Sequence, residues 1–437
     1  MRTDESRRLY ERALRYVPTG THSNSRVRAP HPLYFLRAHG AYLWDADGNR
    51  WTDFVMGNGA VILGHGDEHV NERVKEALDA GLGAGVESDL SVTAAEAFLR
   101  LVTTAEQVRF ANTGTEAMMH AVHAARAATG RPAIAKVEGA YHGWWDDVYV
   151  STWPDLAAAG EPSDPRPLPG AGGLSATAVG SAVVLPFNDL AAAERILTAN
   201  RDHVAALLLE PAMIDVGYVP PEPGYLEGLR ELTRRLGIVL VFDELLTGFR
   251  LGTGGAQGRY GVTPDLSIWG KGLANGFPIA AVAGTRELMS RTEPGPGNAA
   301  FVGTFNGYRP ALAAAVATLE RLADGAVIRS LQERSRRFAE AFEAIGREAG
   351  VPVRLHAEGG HFQPYFTSAV VRDYRSAATT DAAAYAAWSD AAEAAGLMVP
   401  GKPLLHGAFS HAHTDADLEA LLEATREALL REGSRHA

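Results

Sequence analysis

The stretch Ile238-Val239-Leu240-Val241-Phe242-Asp243-Glu244 is an apolar run that breaks on two acids. It is too short for a helix and shows no polar alternation, so it reads as a strand buried on both faces, as in a parallel sheet covered by helices. A second such run, Leu266-Ser267-Ile268-Trp269, ends in Gly270-Lys271-Gly272. Outward from this pair, strand patterns at Gln107–Phe110, Ala133–Lys136, Ala182–Leu185, Ala205–Glu210 and Ile279–Gly284 alternate with helical ones. Strands alternating with helices predict an α/β fold built on a mostly parallel sheet.

The N-terminal part reads differently. A short amphipathic helix is expected over Glu5–Tyr16, ended by Pro18 and Gly20, then a hairpin over Tyr42–Phe54 turning at Asp47-Gly48. Helices are expected at Glu68–Ala80 and Ser91–Thr103. Residues 155–180 hold four prolines and several glycines and form a long loop, either a surface insertion or a lid over the site. From Pro310 the pattern turns helical (Ala311–Leu322, Val327–Ala349), and the shift predicts a second, smaller domain beginning near residue 320.

The chain has 437 residues, 46% of them hydrophobic, and carries 41 Lys+Arg against 52 Asp+Glu, a net charge of −11. No basic tract stands out, so neither nucleic acid nor an anionic membrane is an expected partner. With no cysteine, disulfides, thiolate zinc sites and a cysteine nucleophile are excluded. The start of the chain is charged and lacks an apolar signal core, and no apolar stretch is long enough to span a bilayer, so a cytoplasmic protein is expected.

Ligands of open parallel sheets sit at the carboxyl ends of the strands. Four groups fall there: Thr113-Gly114-Thr115, Glu210, Asp243 and Lys271. Thr113-Gly114-Thr115-Glu116 opens a helix, where free backbone N–H groups suit a phosphate, although Thr113 and Glu116 also fit a capping box. A lysine leaving a buried strand is poorly solvated, and a neutral amine attacks carbonyls. Tyr141, in Gly139-Ala140-Tyr141-His142-Gly143, could stack on a flat ring or belong to the core. An anion for a ring nitrogen and an amine for an aldehyde are what pyridoxal 5'-phosphate requires.

From about Val17 to its C-terminus the chain resembles class III aminotransferases of pyridoxal-phosphate fold type I, on the glutamate-1-semialdehyde 2,1-aminomutase branch. The resemblance is carried by Asn24-Ser25-Arg26-Val27-Arg28-Ala29, Leu63-Gly64-His65, Asn112-Thr113-Gly114-Thr115-Glu116-Ala117, Tyr141-His142-Gly143, Glu210-Pro211, Asp243-Glu244-Leu245-Leu246-Thr247-Gly248, Gly270-Lys271 and Gly303-Thr304-Phe305. It implies a large domain (71–318) with a seven-stranded, mostly parallel sheet flanked by helices. A small α+β domain (319–437) would be joined by an N-terminal segment (1–70). It also implies roles: Lys271 holds the cofactor aldehyde as a Schiff base and moves the proton, Asp243 pairs with the ring nitrogen and Tyr141 stacks on the ring. Thr113, Gly114 and Thr115 hold the phosphate. Thr304 reaches it from the partner subunit of a homodimer, and Arg26 or Arg28 meets a substrate carboxylate.

The chain departs from the aminomutase pattern near the expected substrate pocket. It has Ile214-Asp215 for Gly-Asn, His406 in a stretch where the aminomutase has a glutamate, Asn58 where an aromatic is usual, and a transaminase-like Gly272-Leu273-Ala274-Asn275-Gly276-Phe277-Pro278. The expected activity is therefore transfer of an amino group from a small-molecule donor to a keto or aldehyde acceptor, ping-pong through pyridoxamine phosphate. The alternative is an intramolecular aminomutase. Two rivals from other classes are weaker. His411 and His413 are spaced like a metal pair but precede a helix cap at Thr414-Asp415, so no metal site is expected. Gly252-Thr253-Gly254-Gly255 imitates a nucleotide loop outside a βαβ unit. A non-catalytic binding protein would not need Asp243, Lys271 and Thr304 together.

Overall fold

The computed structural model describes residues 2–83 and 85–436, the last five of these by backbone alone. Its centre is a seven-stranded sheet. In chain order the strands are β4 (Gln107–Ala111), β5 (Ala133–Val137), β6 (Val183–Leu185), β7 (Val204–Leu209), β8 (Val239–Asp243), β9 (Leu266–Trp269) and β10 (Ala280–Gly284). They lie side by side as β4-β10-β9-β8-β7-β5-β6. Only β10 opposes its neighbours; the other six strands run in one direction.

Alternate residues explain why these strands read as unbroken apolar runs. Ala206, Leu208, Val239 and Val241 pack toward helix α4 (Gly114–Thr129). Leu207, Leu209, Leu240 and Phe242 pack with residues of α5 (Leu190–Ala199) and α6 (Tyr225–Leu236). With both faces covered by helices, nearly every position is apolar.

The chain begins with α1 (Asp4–Ala13), three residues shorter at its end than the periodicity predicts. Its first turn is held by Asp47, whose carboxylate accepts from the Glu5 and Ser6 amides at 2.8 and 2.9 Å. Asp47 sits in the turn of the expected hairpin, β2 (Tyr42–Asp45) against β3 (Arg50–Asp53). Two further strands complete that sheet: β1 (Phe35–His39) beside β2, and β13 (Leu397–Met398) parallel to β3. A strand from the C-terminal part thus pairs with the N-terminal segment. Helices α2 (Glu68–Asp79) and α3 (Asp89–Leu101) pack against α7 (Arg309–Leu322). Beyond it come α8 (Ala326–Ala349), a three-stranded sheet of β11 (Arg354–Glu358), β12 (His361–Tyr365) and β14 (Gly407–Ala408), α9 (Ala382–Ala394) and α10 (Asp415–His436). Among the described residues, no helix is long and apolar enough to cross a membrane.

Residues 155–180 are partly ordered by a two-stranded turn (Gly160–Glu161 with Asp164–Pro165) and a short helix, Ala176–Ser181. Arg375 ties the segment down, donating to the Gly160 carbonyl at 2.9 Å while its fork grips Glu138 at 2.7 and 2.9 Å.

Arg250 joins the parts of the molecule. Its side chain is buried and donates to the carbonyls of Gly59 (2.9 and 3.1 Å), Gly359 (2.8 Å) and Phe409 (3.3 Å). One guanidinium therefore ties the N-terminal segment and the C-terminal sheets to the loop after β8. Arg250→Met leaves these buried acceptors unmet and is expected to cost on the order of 3 kcal/mol, read as a lower denaturant midpoint. An unchanged midpoint would show that the joint carries no net stability.

Candidate active site

Because six strands run the same way, their carboxyl ends share one edge of the sheet. A cavity of about 330 Å³ opens there. Thr113, Gly114 and Thr115 follow β4, Tyr141 and Gly143 follow β5, and Glu210 follows β7; Asp243 ends β8 and Lys271 follows β9, and all of them line it. Phe277-Pro278-Ile279 enters from the other direction, leading into antiparallel β10. The sheet register brings the set together, with Asp243 opposite Ile268 and Ala111 opposite Ala280.

The chain has four lysines. Lys75 and Lys402 are exposed and Lys136 is sealed in β5, so Lys271 is the one in the cavity wall. It is half-buried rather than sealed. Its backbone is left-handed at φ 48°, a strained conformation for a residue with a side chain. Such strain persists where surrounding packing fixes it. A Cβ on the preceding Gly270 would lie 2.6 Å from Leu245 Cδ2, so only glycine lets the chain pass there.

Asp243 is buried, with one carboxylate oxygen accepting from the Leu245 amide at 3.1 Å and the other 2.8 Å from His142 Nδ1. His142 is also buried, and its Nε2 meets no partner. Burial holds this imidazole below its ordinary pKa, opposed by Asp243. Glu210 accepts from the Ile214 and Asp215 amides at 2.8 and 3.2 Å, and burial, with Asp215 and Asp243 nearby, pushes its carboxyl well up. Asp215, half-buried in the cavity wall, is raised to about 6 by burial, with Lys271 opposing the shift. Three carboxyl groups thus share the cavity wall with a single lysine.

Asp215 gives a pH-dependent prediction. Its folded value lies above the model-peptide value of about 3.9, so folding takes up a proton. It favours the fold fully below that value and loses the contribution as pH rises through about 6. Asp215→Asn should therefore raise the melting temperature more at pH 8 than at pH 4. An equal gain at both, or the reverse order, contradicts this.

At the helix N-terminus, both expected readings meet. Thr113 caps α4: its hydroxyl accepts from the Glu116 amide at 3.2 Å, and Glu116 returns a bond to the Thr113 amide at 3.1 Å. Gly114 and Thr115 open the helix, where backbone N–H groups have no intrahelical acceptor. Gly143, at φ 103°, lies so close to Thr115 that a Cβ would come within 2.7 Å of its hydroxyl. A cradle of small residues and helix-end amides, with the acids on the other side of the same cavity, fits a ligand with a phosphate at one end and a basic ring nitrogen at the other.

Tyr141 is half-buried, its ring parallel to Trp153 at a centroid distance of 5.8 Å. Burial pushes its hydroxyl up to about 12. Trp153 donates from Nε1 to the Asp215 carbonyl at 2.9 Å. Three of the expected site residues lie outside this cavity wall. Thr304 is exposed, between exposed Val302 and Phe305. Arg26 is exposed on a short turn, and Arg28, half-buried, pairs with Glu393 of α9. No residue of 155–180 lines the cavity. His406, at the branch's glutamate position, is buried edge-on to His361 and held down to about 3 by burial and by the charges of Lys271 and Arg250.

The weaker motifs have local uses. The amides of Ala256 and Gln257, past the glycine run, donate to Glu244 at 2.9 and 2.8 Å, so a side chain fills that anion seat. His413 bonds the Ser410 amide and the Asp53 carbonyl, both at 3.1 Å, and Asp417 caps α10 through Thr414. The sequence reading missed His142, Trp153 and Lys136. Only Lys136 left a signal, a charge inside the buried run Ala133-Ile134-Ala135-Lys136-Val137.

Residues 23–429 match the family model "Aminotransferase class-III". A glutamate-1-semialdehyde 2,1-aminomutase of Syntrophobacter fumaroxidans is 38% identical over 436 residues, 99% of this chain and 98% of that one. An omega-transaminase of Sphaerobacter thermophilus superposes with a TM-score of 0.92 at 37% identity, covering 98% of each chain. A glutamate-1-semialdehyde aminomutase of Pseudomonas aeruginosa does so at 0.87 and 25% identity, covering 98% of this chain and 94% of that one. The chain belongs to the class III aminotransferase family and is an enzyme of its α/β fold.

Proposed function

We propose that this enzyme moves an amino group from a small-molecule amine to a keto or aldehyde acceptor, with pyridoxal 5'-phosphate as cofactor. The observation that carries the reading is the convergence of Lys271, Asp243, Tyr141 and Thr113–Thr115 on one cavity. When bound, the cofactor supplies an aldehyde for the amine and a ring that draws electrons from the carbon bearing it. Asp243 would keep the ring nitrogen protonated, and His142 holds that carboxylate in orientation at 2.8 Å. The α4 amides and Thr115 would hold the phosphate, and Tyr141 would cover the ring. Lys271 would hold the aldehyde between turnovers and, with its amine free, would carry the proton from the substrate carbon bearing the nitrogen to the cofactor carbon on the other side of that nitrogen.

Thr304 serves a second active site in this reading. Its exposed, apolar-flanked segment suits contact with a second copy of the chain, and a homodimer would bring Thr304 to the partner's phosphate. Of the two arginines, Arg26 is better placed for a substrate carboxylate, because Arg28 is already paired with Glu393. The names of the curated relatives favour a second reading, an intramolecular aminomutase, which would use the same cofactor residues. A half-reaction separates them. With an amine panel and no acceptor, a transaminase releases keto product in amounts equal to its active sites. If no amine yields free keto product while glutamate-1-semialdehyde is isomerised, the mutase reading replaces it.

A further inference from the structure

Lys136 is the most unusual charge in the molecule. It is fully buried in β5, and its Nζ donates to the carbonyls of Ala140 (2.7 Å), Val148 (3.1 Å) and Val150 (2.5 Å) and to the Thr152 hydroxyl (3.1 Å). The Thr152 hydroxyl in turn donates to the Ala140 carbonyl at 3.2 Å. No carboxylate touches this ammonium, although Glu210 acts on it from nearby. A buried charge without a paired ion is costly unless its hydrogen bonds are fully met. Here an ammonium with three N–H groups faces four oxygens, the arrangement by which carbonyls replace the hydration shell of a bound monovalent cation. Burial brings Lys136 down to about 7, with Glu210 opposing the shift, and hydrogen bonds to the charged form favour it.

All four oxygens belong to one loop, residues 140–152, which presents Tyr141 and Gly143 to the cavity and holds His142 against Asp243. Without the ammonium, the Ala140, Val148 and Val150 carbonyls would converge on an empty centre and repel one another. We propose that Lys136 is a positioning residue for the active site: its ammonium acts as a built-in monovalent cation that fixes the loop carrying Tyr141 and His142 against the sheet. Its consequence for the cofactor rests on the function proposed above; its consequence for the loop does not.

Two full-length variants test it. Lys136→Ala removes the ammonium and leaves room for a small cation, whereas Lys136→Met removes the charge but fills the stem's space. Amide hydrogen exchange is followed with and without cofactor, and the cofactor dissociation constant by absorbance, in ammonium chloride and in lithium chloride of equal ionic strength. Both variants should exchange faster over residues 139–152 and bind cofactor about tenfold more weakly or worse. Ammonium, but not lithium, should restore both properties in the alanine variant and neither in the methionine variant. Wild-type exchange in both variants, faster exchange across the whole chain, or an alanine variant indifferent to ammonium would overturn the proposal. The exchange arm needs no cofactor, so an ammonium-restored loop in a protein that binds no pyridoxal phosphate would uphold Lys136 and refute the proposed function instead.

Discussion

Lys271→Ala should lower amino transfer by about 10⁴-fold or more while leaving the fold intact. In the proposed function the substitution removes both the amine that anchors the cofactor and the base that moves the substrate proton, and no other lysine lines the cavity. Alanine meets the left-handed conformation at φ 48° at about the same cost as lysine, so packing around Gly270 and Leu245 should persist. Thermal unfolding and circular dichroism should match wild type, and the cofactor should bind reversibly. Turnover within tenfold of wild type would remove Lys271 from the mechanism.

Asp243→Asn should lower turnover by about 10³-fold without detaching the cofactor from Lys271. An amide cannot hold a ring nitrogen protonated, so the electron demand on the substrate carbon falls although every atom stays in place. The His142 bond at 2.8 Å can survive in one amide orientation, which keeps structural damage small. The diagnostic result is a variant that still forms its covalent cofactor link and binds substrate, yet turns over slowly. Loss of cofactor binding together with melting of the fold would make Asp243 a structural residue.

Much of this architecture could be read from the chain because strands of a sheet covered on both faces are mostly apolar along their length. All seven strands of the central sheet were found that way, within a residue or two of their ends, and the site followed because its groups interrupt or directly follow those runs. What escaped notice depends on pairings distant in sequence. Strand β1, Phe35-Leu36-Arg37-Ala38-His39, is mostly exposed and shows no alternation to mark it. Strand β13 is two residues long and exists because β3 lies beside it. His142 finds Asp243 only once β5 and β8 are in one sheet, and Arg250 finds Gly359 and Phe409 only once the C-terminal sheet is docked. Thr113 shows the converse: the capping box is present, and the reading of the same helix end as a phosphate seat rests on the neighbouring acids and lysine.

Borohydride reduction of the holoprotein, followed by peptide mapping, tests the central claim most directly. With four lysines in the chain, two exposed, one sealed in β5 and one in the cavity, the assignment is unambiguous. The predicted result is a yellow protein bleached by borohydride, with the reduced cofactor on the Lys271 peptide alone and absent from Lys271→Ala. A protein that pyridoxal phosphate does not colour, or a label on Lys75 or Lys402 with Lys271 unmodified, would contradict it.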